Sequence, residues 1–180
     1  MTDRVPRTDG GTPPVDEPGR AWVFGDDIDT DQITPSRFLV STEPAELAEH
    51  AFNDLRPAFS ADVEAGDFVV AGENFGGGSS REHAPLSLIG AGVSAVVAQS
   101  FARIFFRNAI NLGLPVLICP DAGAIEDGAS VSIDLDAGLV YDHDAGETYE
   151  AEPLPQFLQE LVDQGGLEAY TRQKLATTSE

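Results

Sequence analysis

Apolar residues are distributed unevenly along the chain, and the changes in their spacing mark its elements. Trp22-Val23-Phe24 reads as a strand entering the acidic turn Gly25 to Asp31. From Glu43 to Phe52, Leu47, Ala48, Ala51 and Phe52 fall at helical spacing behind Ser41, Thr42 and Pro44, which are helix-start residues. Three short uninterrupted apolar runs follow, Phe68-Val69-Val70-Ala71, Val93 to Ala98 and Pro115-Val116-Leu117-Ile118, each the signature of a strand buried on both faces. Between them lie two helical segments. One runs from near Ser80 to Gly90 and Gly92, and the other carries Phe101, Phe105, Asn108 and Leu112 on one face and stops at Gly113. Strand, helix, strand, helix, strand predicts a parallel α/β unit. After Cys119 the texture becomes alternating, with Val131 to Leu135 and Leu139 to Tyr141 joined across Asp136-Ala137-Gly138 as an antiparallel hairpin. Pro155 opens a closing helix with Phe157, Leu158, Leu161 and Val162 on its inner face.

The expected fold is therefore a single α/β domain with a mixed sheet over residues 21–170. Residues 1–20 are rich in Pro, Gly, Thr and Asp and offer little to bury, so they read as a disordered arm; residues 171–180 read as a frayed tail.

Composition adds constraints on chemistry. Ten Lys plus Arg against 31 Asp plus Glu give a net charge of −21 over 180 residues. A surface this acidic repels phosphate backbones and anionic membrane faces, so neither nucleic acid nor membrane is an expected partner. Lys174 is the only lysine. With the other nine basic residues all Arg, the acidic excess reads as adaptation to high salt, in preference to the alternative of an ordinary acidic protein. No apolar run reaches the roughly 18 residues of a membrane span and no secretory signal pattern is present, which points to a cytoplasmic protein. Cys119 stands alone, whereas structural zinc and iron-sulfur sites take about four side-chain ligands. No metal site is expected in this chain, because its histidines lack ligand spacing and the acidic turn lacks the oxygen pattern of a calcium loop.

The densest chemical signal is Gly72-Glu73-Asn74-Phe75-Gly76-Gly77-Gly78-Ser79-Ser80-Arg81-Glu82-His83-Ala84. A buried strand here leaves through three glycines and enters a helix. Glycines let backbone approach a ligand, and the free N–H groups and dipole of a helix start favour an anion, which Arg81 can clamp through two hydrogen bonds. Gly76, Gly77, Gly78, Ser80 and Arg81 are the candidate binding residues. The glycine spacing fits neither a dinucleotide fingerprint nor a phosphate-binding loop, and Arg81 stands where a hydrolase elbow needs glycine. A simpler alternative is a glycine turn followed by a capping box from Ser79 to Glu82. His83 reads as structural, since helix neighbours point to different faces.

Taken together, Asp29-Thr30-Asp31-Gln32-Ile33-Thr34-Pro35, the GENFGGGSSREHA segment and Ser100-Phe101-Ala102-Arg103-Ile104-Phe105-Phe106-Arg107-Asn108 resemble the small-subunit family of 3-isopropylmalate dehydratase. That family is the separate swivelling domain of the aconitase superfamily, and the resemblance covers about residues 21–120. It implies a β/β/α domain that closes over a large subunit carrying a 4Fe-4S cluster, with a small hydroxy acid between them. By this resemblance Ser79 is the catalytic base, Arg81 holds a substrate carboxylate and Asp31 supports the site. Gly77 replaces a cysteine common in the family. Val40, after Phe38-Leu39, occupies the deciding place of a specificity loop, where an apolar residue suits isopropylmalate and Arg suits a third carboxylate. The implied activity is leucine-pathway isomerisation of 2-isopropylmalate by dehydration and rehydration. Alternatives are a related hydro-lyase acting on homoaconitate, aconitate or methylmalate (citraconate), and a non-catalytic dicarboxylate binder.

Overall fold

In a computed structural model, residues 14–39, 41–78 and 82–178 are described. One seven-stranded sheet in the order β4-β3-β2-β1-β5-β6-β7 forms the spine. Its first half is parallel: β1 (Gly19–Val23), β2 (Phe68–Ala71), β3 (Ala95–Ala98) and β4 (Val116–Ile118). The second half, β5 (Ser130–Asp134), β6 (Leu139–Asp142) and β7 (Glu147–Glu150), is antiparallel, and β5 joins the halves by pairing with β1. Every residue of β2 and β3 is buried, as their unbroken apolar runs require.

Helices α1 (Thr30–Ile33), α2 (Pro44–Ala48), α3 (Ala58–Asp62), α4 (His83–Gly90), α5 (Arg103–Leu112), α6 (Gln156–Asp163) and α7 (Leu167–Thr178) complete the domain. Helix α4 links β2 to β3, and α5 links β3 to β4, which is the expected α/β unit. Gly113 ends α5 at φ +90°, a left-handed cap that glycine adopts without steric cost. Helices α2 and α4 pack so closely that a Cβ on Gly90 would lie 2.0 Å from the Pro44 carbonyl oxygen.

An aromatic cluster of Trp22, Phe24, Phe52 and Phe59 fills the space beside β1. The Trp22 indole N–H donates to the buried Asp67 carboxylate at 3.0 Å, and Asp67 also accepts from the Glu64 N–H at 2.9 Å. Arg56 lies over the Trp22 ring and donates twice to Asp127. Those hydrogen bonds hold the Asp127 carboxyl below the usual carboxylate range. Among the described acidic residues only Asp67 and Asp142 are buried, and backbone or indole donors satisfy both.

Several boundaries differ from the sequence reading. Strand β1 begins at Gly19, inside the segment expected to lack structure, because Gly19 and Arg20 pair with Val131 and Ser130; upstream, the Val15 carbonyl accepts from the Ile133 N–H. The expected helix over 43–52 is confined to α2, after which Phe52 turns at φ +55°. Phe157, expected on the inner face of α6, is 55% exposed, while Leu161 and Val162 are buried. Helix α7 reaches Thr178, inside the segment expected to fray. Strand β7 carries Glu-Thr-Tyr-Glu and is mostly exposed; its charges suit an edge strand, and they hid it from a search for apolar alternation.

Candidate functional site

The three quoted motifs meet at the ends of β1, β2 and β3, the carboxyl edge of the parallel half-sheet, where open α/β folds place ligands. After β1, the chain enters the acidic turn and α1. Asp29 caps α1 by accepting from the Gln32 N–H at 2.8 Å, and the Gln32 side chain accepts from the Asp29 N–H at 3.0 Å. The acidic turn is thus a set of local acceptors. Asp26 accepts from the Glu73 N–H, Asp27 from the Asn74 side-chain amide, and Asp31 from the Ser36 N–H.

After β2, the glycine loop lies alongside this turn. The Gly76 N–H donates to the Ile28 carbonyl at 2.7 Å, and the Thr30 N–H donates to the Gly77 carbonyl at 2.8 Å. Asp27 and Asn74, which bond across the two loops, are both left-handed at φ +55°, a conformation uncommon outside glycine and frequent at functional loops. After β3, the Ser100 hydroxyl accepts from the Asn74 N–H at 2.7 Å. The Ala102 N–H, just before α5, donates to the Phe75 carbonyl at 2.9 Å. Each motif is held by the next, so the spacing that made them stand out serves one junction.

The individual glycines separate by role. Gly76 is buried at φ +88°, and a Cβ there would lie 2.2 Å from Phe105 Cγ. Its amide is committed to Ile28, and the missing side chain permits close packing of the loop on α5. Gly77 is only half-buried, and a Cβ on it would be 3.5 Å from the Asn74 side chain, an ordinary contact. Gly78 is exposed at φ +95° beside Thr30 and leads towards α4. Ser79, Ser80, Arg81 and Val40 lie outside the described residues.

Asp31 is exposed on α1 and, with Thr30, Thr34, Ser36, Leu39 and His83, lines a cavity of about 40 Å³. Such a volume takes a water or two and does not enclose a substituted dicarboxylic acid. Thr34 donates to the Ser87 hydroxyl, which in turn donates to the Ala84 carbonyl, so α1 is tied to α4. His83 begins α4, and its Nδ1 is buried without a hydrogen-bond partner among the described residues, a feature not legible in the sequence, where His83 reads simply as structural. His50 stacks on Phe38, and His143 bonds Ser132 at 2.8 Å, both away from the junction.

Cys119 is buried with its thiol directed at the Glu150 carbonyl, and burial pushes its pKa up, which suits neither a nucleophile nor a metal ligand. Among the described residues no group of three His, Cys, Asp or Glu is arranged for a metal ion. No helix among them is long and apolar enough to cross a membrane.

Comparison with known proteins places this geometry. Residues 28–121 match the aconitase C-terminal domain. The 3-isopropylmalate dehydratase small subunit of Methanosarcina mazei is 56% identical over 154 residues, covering 86% of this chain and 95% of that protein. The small subunit of Nautilia profundicola is 50% identical over 157 residues, covering 87% of this chain and 95% of its own length. Among solved structures, 3-isopropylmalate dehydratase of Methanocaldococcus jannaschii superposes with a TM-score of 0.86 at 43% identity, covering 90% of this chain and 96% of that one. With identity this high across nearly the whole length of these relatives, and with the three motifs joined at one sheet edge, the chain belongs to the 3-isopropylmalate dehydratase small-subunit family of the aconitase superfamily.

Proposed function

We propose that this chain is the small subunit of a hydro-lyase that interconverts 2-isopropylmalate and 3-isopropylmalate by dehydration and rehydration, in leucine biosynthesis. The observation that carries the reading is the junction itself: the Asp31 turn and the glycine loop are locked together, and the cavity beside them, lined by Asp31, Leu39 and the start of α4, is only about 40 Å³, so that a second surface is needed to enclose the substrate. That surface belongs to a large subunit. A 4Fe-4S cluster carried there would supply Lewis acidity toward the substrate hydroxyl. Because Cys119 is buried and bonded to a carbonyl, the cluster is assigned wholly to the partner.

On this chain, Arg81 holds a substrate carboxylate through paired hydrogen bonds, and Ser80 and the end of the glycine loop contribute donors. Ser79 removes the proton from the carbon next to the departing hydroxyl and returns it on rehydration. A serine hydroxyl is a weak base in water, so the closed site must favour its alkoxide with N–H donors and cations. Asp31 supports the site from α1, its carboxylate oriented by the Ser36 N–H.

The test is reconstitution. The isolated chain is expected to be colourless and without turnover, and addition of a cluster-loaded large subunit should produce isopropylmalate isomerisation in preference to hydration of homoaconitate or citraconate. Turnover by the isolated, iron-free chain would overturn the proposal.

Substrate choice is assigned to Val40. Apolar contact with an isopropyl group contributes about 1–3 kcal/mol, and an unpaired buried carboxylate costs at least as much. Val40→Arg should lower the ratio of kcat/KM for isopropylmalate over homoaconitate by about tenfold or more, equivalent to about 1.4 kcal/mol. An unchanged ratio would put Val40 outside the pocket.

We also assign the acidic surface to salt adaptation in a cytoplasmic setting. With −21 net charge and almost every described carboxylate exposed, self-repulsion should weaken the fold in dilute buffer. The Debye length falls from about 30 Å at 0.01 M to about 3 Å at 1 M, so Tm should climb by about 5 °C or more as KCl is raised into the molar range. A Tm insensitive to KCl would leave the acidity as a solubility feature.

A further inference from the structure

We propose that the exposed face of α5 formed by Arg103, Ile104 and Arg107 is a docking surface for the large subunit, seated on a patch of that partner that is apolar at its centre and acidic at its rim. The inference rests on the two-subunit reading above and goes beyond it by naming where contact is made.

Its starting point is a scarcity. In a chain of −21 net charge, the other described basic side chains are engaged within the domain. Arg20 lies over Trp22, Arg37 pairs with Asp54, Arg56 with Asp127 and Arg172 with Glu168, and Lys174 lies over Tyr170. Arg103 and Arg107 are exposed and have no hydrogen-bond, ion-pair or ring partner among the described residues. They stand four residues apart, so they share one helix face, and Ile104 stands beside Arg107 on that face. Ile104 is 40% exposed, one of few large apolar side chains left to solvent in the described chain.

Position supplies the second argument. Ala102 bonds the Phe75 carbonyl, and Phe105 packs under Gly76, so the first turn of α5 is fastened to the glycine loop. A partner that covers the substrate half-site approaches this turn. Two cations left unpaired in an acidic protein are suited to meet carboxylates, and arginine is the cation preferred at protein interfaces. The apolar Ile104 between them favours a protein surface over a free dicarboxylate, while the overall charge opposes a nucleic acid.

The experiment titrates a fixed amount of cluster-loaded large subunit with small subunit and reads half-saturation and kcat, at the lowest KCl that keeps the chain folded. Arg103→Glu with Arg107→Glu should raise the half-saturating concentration at least a hundredfold, and Ile104→Asp about tenfold. In each case kcat should recover at saturation and the Tm of the isolated variant should match that of the parent. Arg103→Lys with Arg107→Lys keeps both charges and should shift half-saturation less than tenfold. Unchanged half-saturation in the reversed-charge variant would overturn the inference, as would a kcat loss that saturation does not restore. Sedimentation of the isolated chain covers the remaining occupant: self-association abolished by charge reversal would mean that a second copy sits there, and would likewise overturn it. If the parent chain itself neither binds nor activates a large subunit, the failure is of the two-subunit reading. If the parent works and the variants equal it, only the docking surface is wrong.

Discussion

Ser79→Ala is expected to cut kcat and kcat/KM together by a factor of about a thousand or more in the reconstituted enzyme, with little change in Tm. Removing the hydroxyl deletes the proton acceptor without touching the carboxylate clamp assigned to Arg81, so a competing dicarboxylic acid should bind the variant nearly as well as the parent. The fold should tolerate the change because the loops are joined by backbone hydrogen bonds between other residues. These bonds run from Ile28 to Gly76, from Thr30 to Gly77 and from Phe75 to Ala102. A loss confined to KM would make Ser79 a binding residue. Near-normal kcat would move the base elsewhere, and His83, whose buried Nδ1 lacks a partner among the described residues, is the next group to substitute.

The parallel half of the fold was legible because its signals are local and redundant. Strands β2, β3 and β4 are short apolar runs buried among helices, and α4 and α5 end at or beside glycines. What escaped was set by tertiary context. Strand β7 is Glu-Thr-Tyr-Glu, and only its pairing with β6 makes it a strand. Gly19 and Arg20 join β1 because β5 lies beside them, a partner more than a hundred residues later in sequence. Phe157 continues the apolar spacing of α6 yet remains outside the core, where it meets Tyr170 of α7 edge-on. A helix whose own pattern is weak, such as α7, gives a sequence reader little to hold.

The candidate site shows the same division. That the acidic turn, the glycine loop and the Ser100 segment belong together followed from their combination in a known family. Why they do so is a matter of hydrogen bonds that no spacing reveals, such as the Asp27 to Asn74 bond between two left-handed residues. In the acidic turn, Asp26, Asp29 and Asp31 accept from backbone N–H groups, a use of carboxylates that composition alone does not reveal. The three glycines were read as one cradle, but their surroundings assign them different tasks.

That difference leads to the largest expected effect on stability. Gly76→Ala should destabilise the chain by about 2–4 kcal/mol: about 1 kcal/mol or more for a side chain at φ +88°, and about 1–3 kcal/mol for overpacking against Phe105. Neither contribution can relax cheaply. The Cβ would lie 2.2 Å from the root of the Phe105 ring rather than at a flexible side-chain end, and the Gly76 amide is fixed by Ile28. For a domain of this size, Tm should fall by about 5–15 °C. Gly77→Ala is the matched control, since it adds the same methyl one residue away, where the nearest atom is 3.5 Å distant. It should change stability by less than about 0.5 kcal/mol. Thermal melts of both variants in the same buffer decide the matter. Equal losses would mean that the loop as a whole resists side chains, and a neutral Gly76→Ala would mean that α5 is not held against the glycine loop as described.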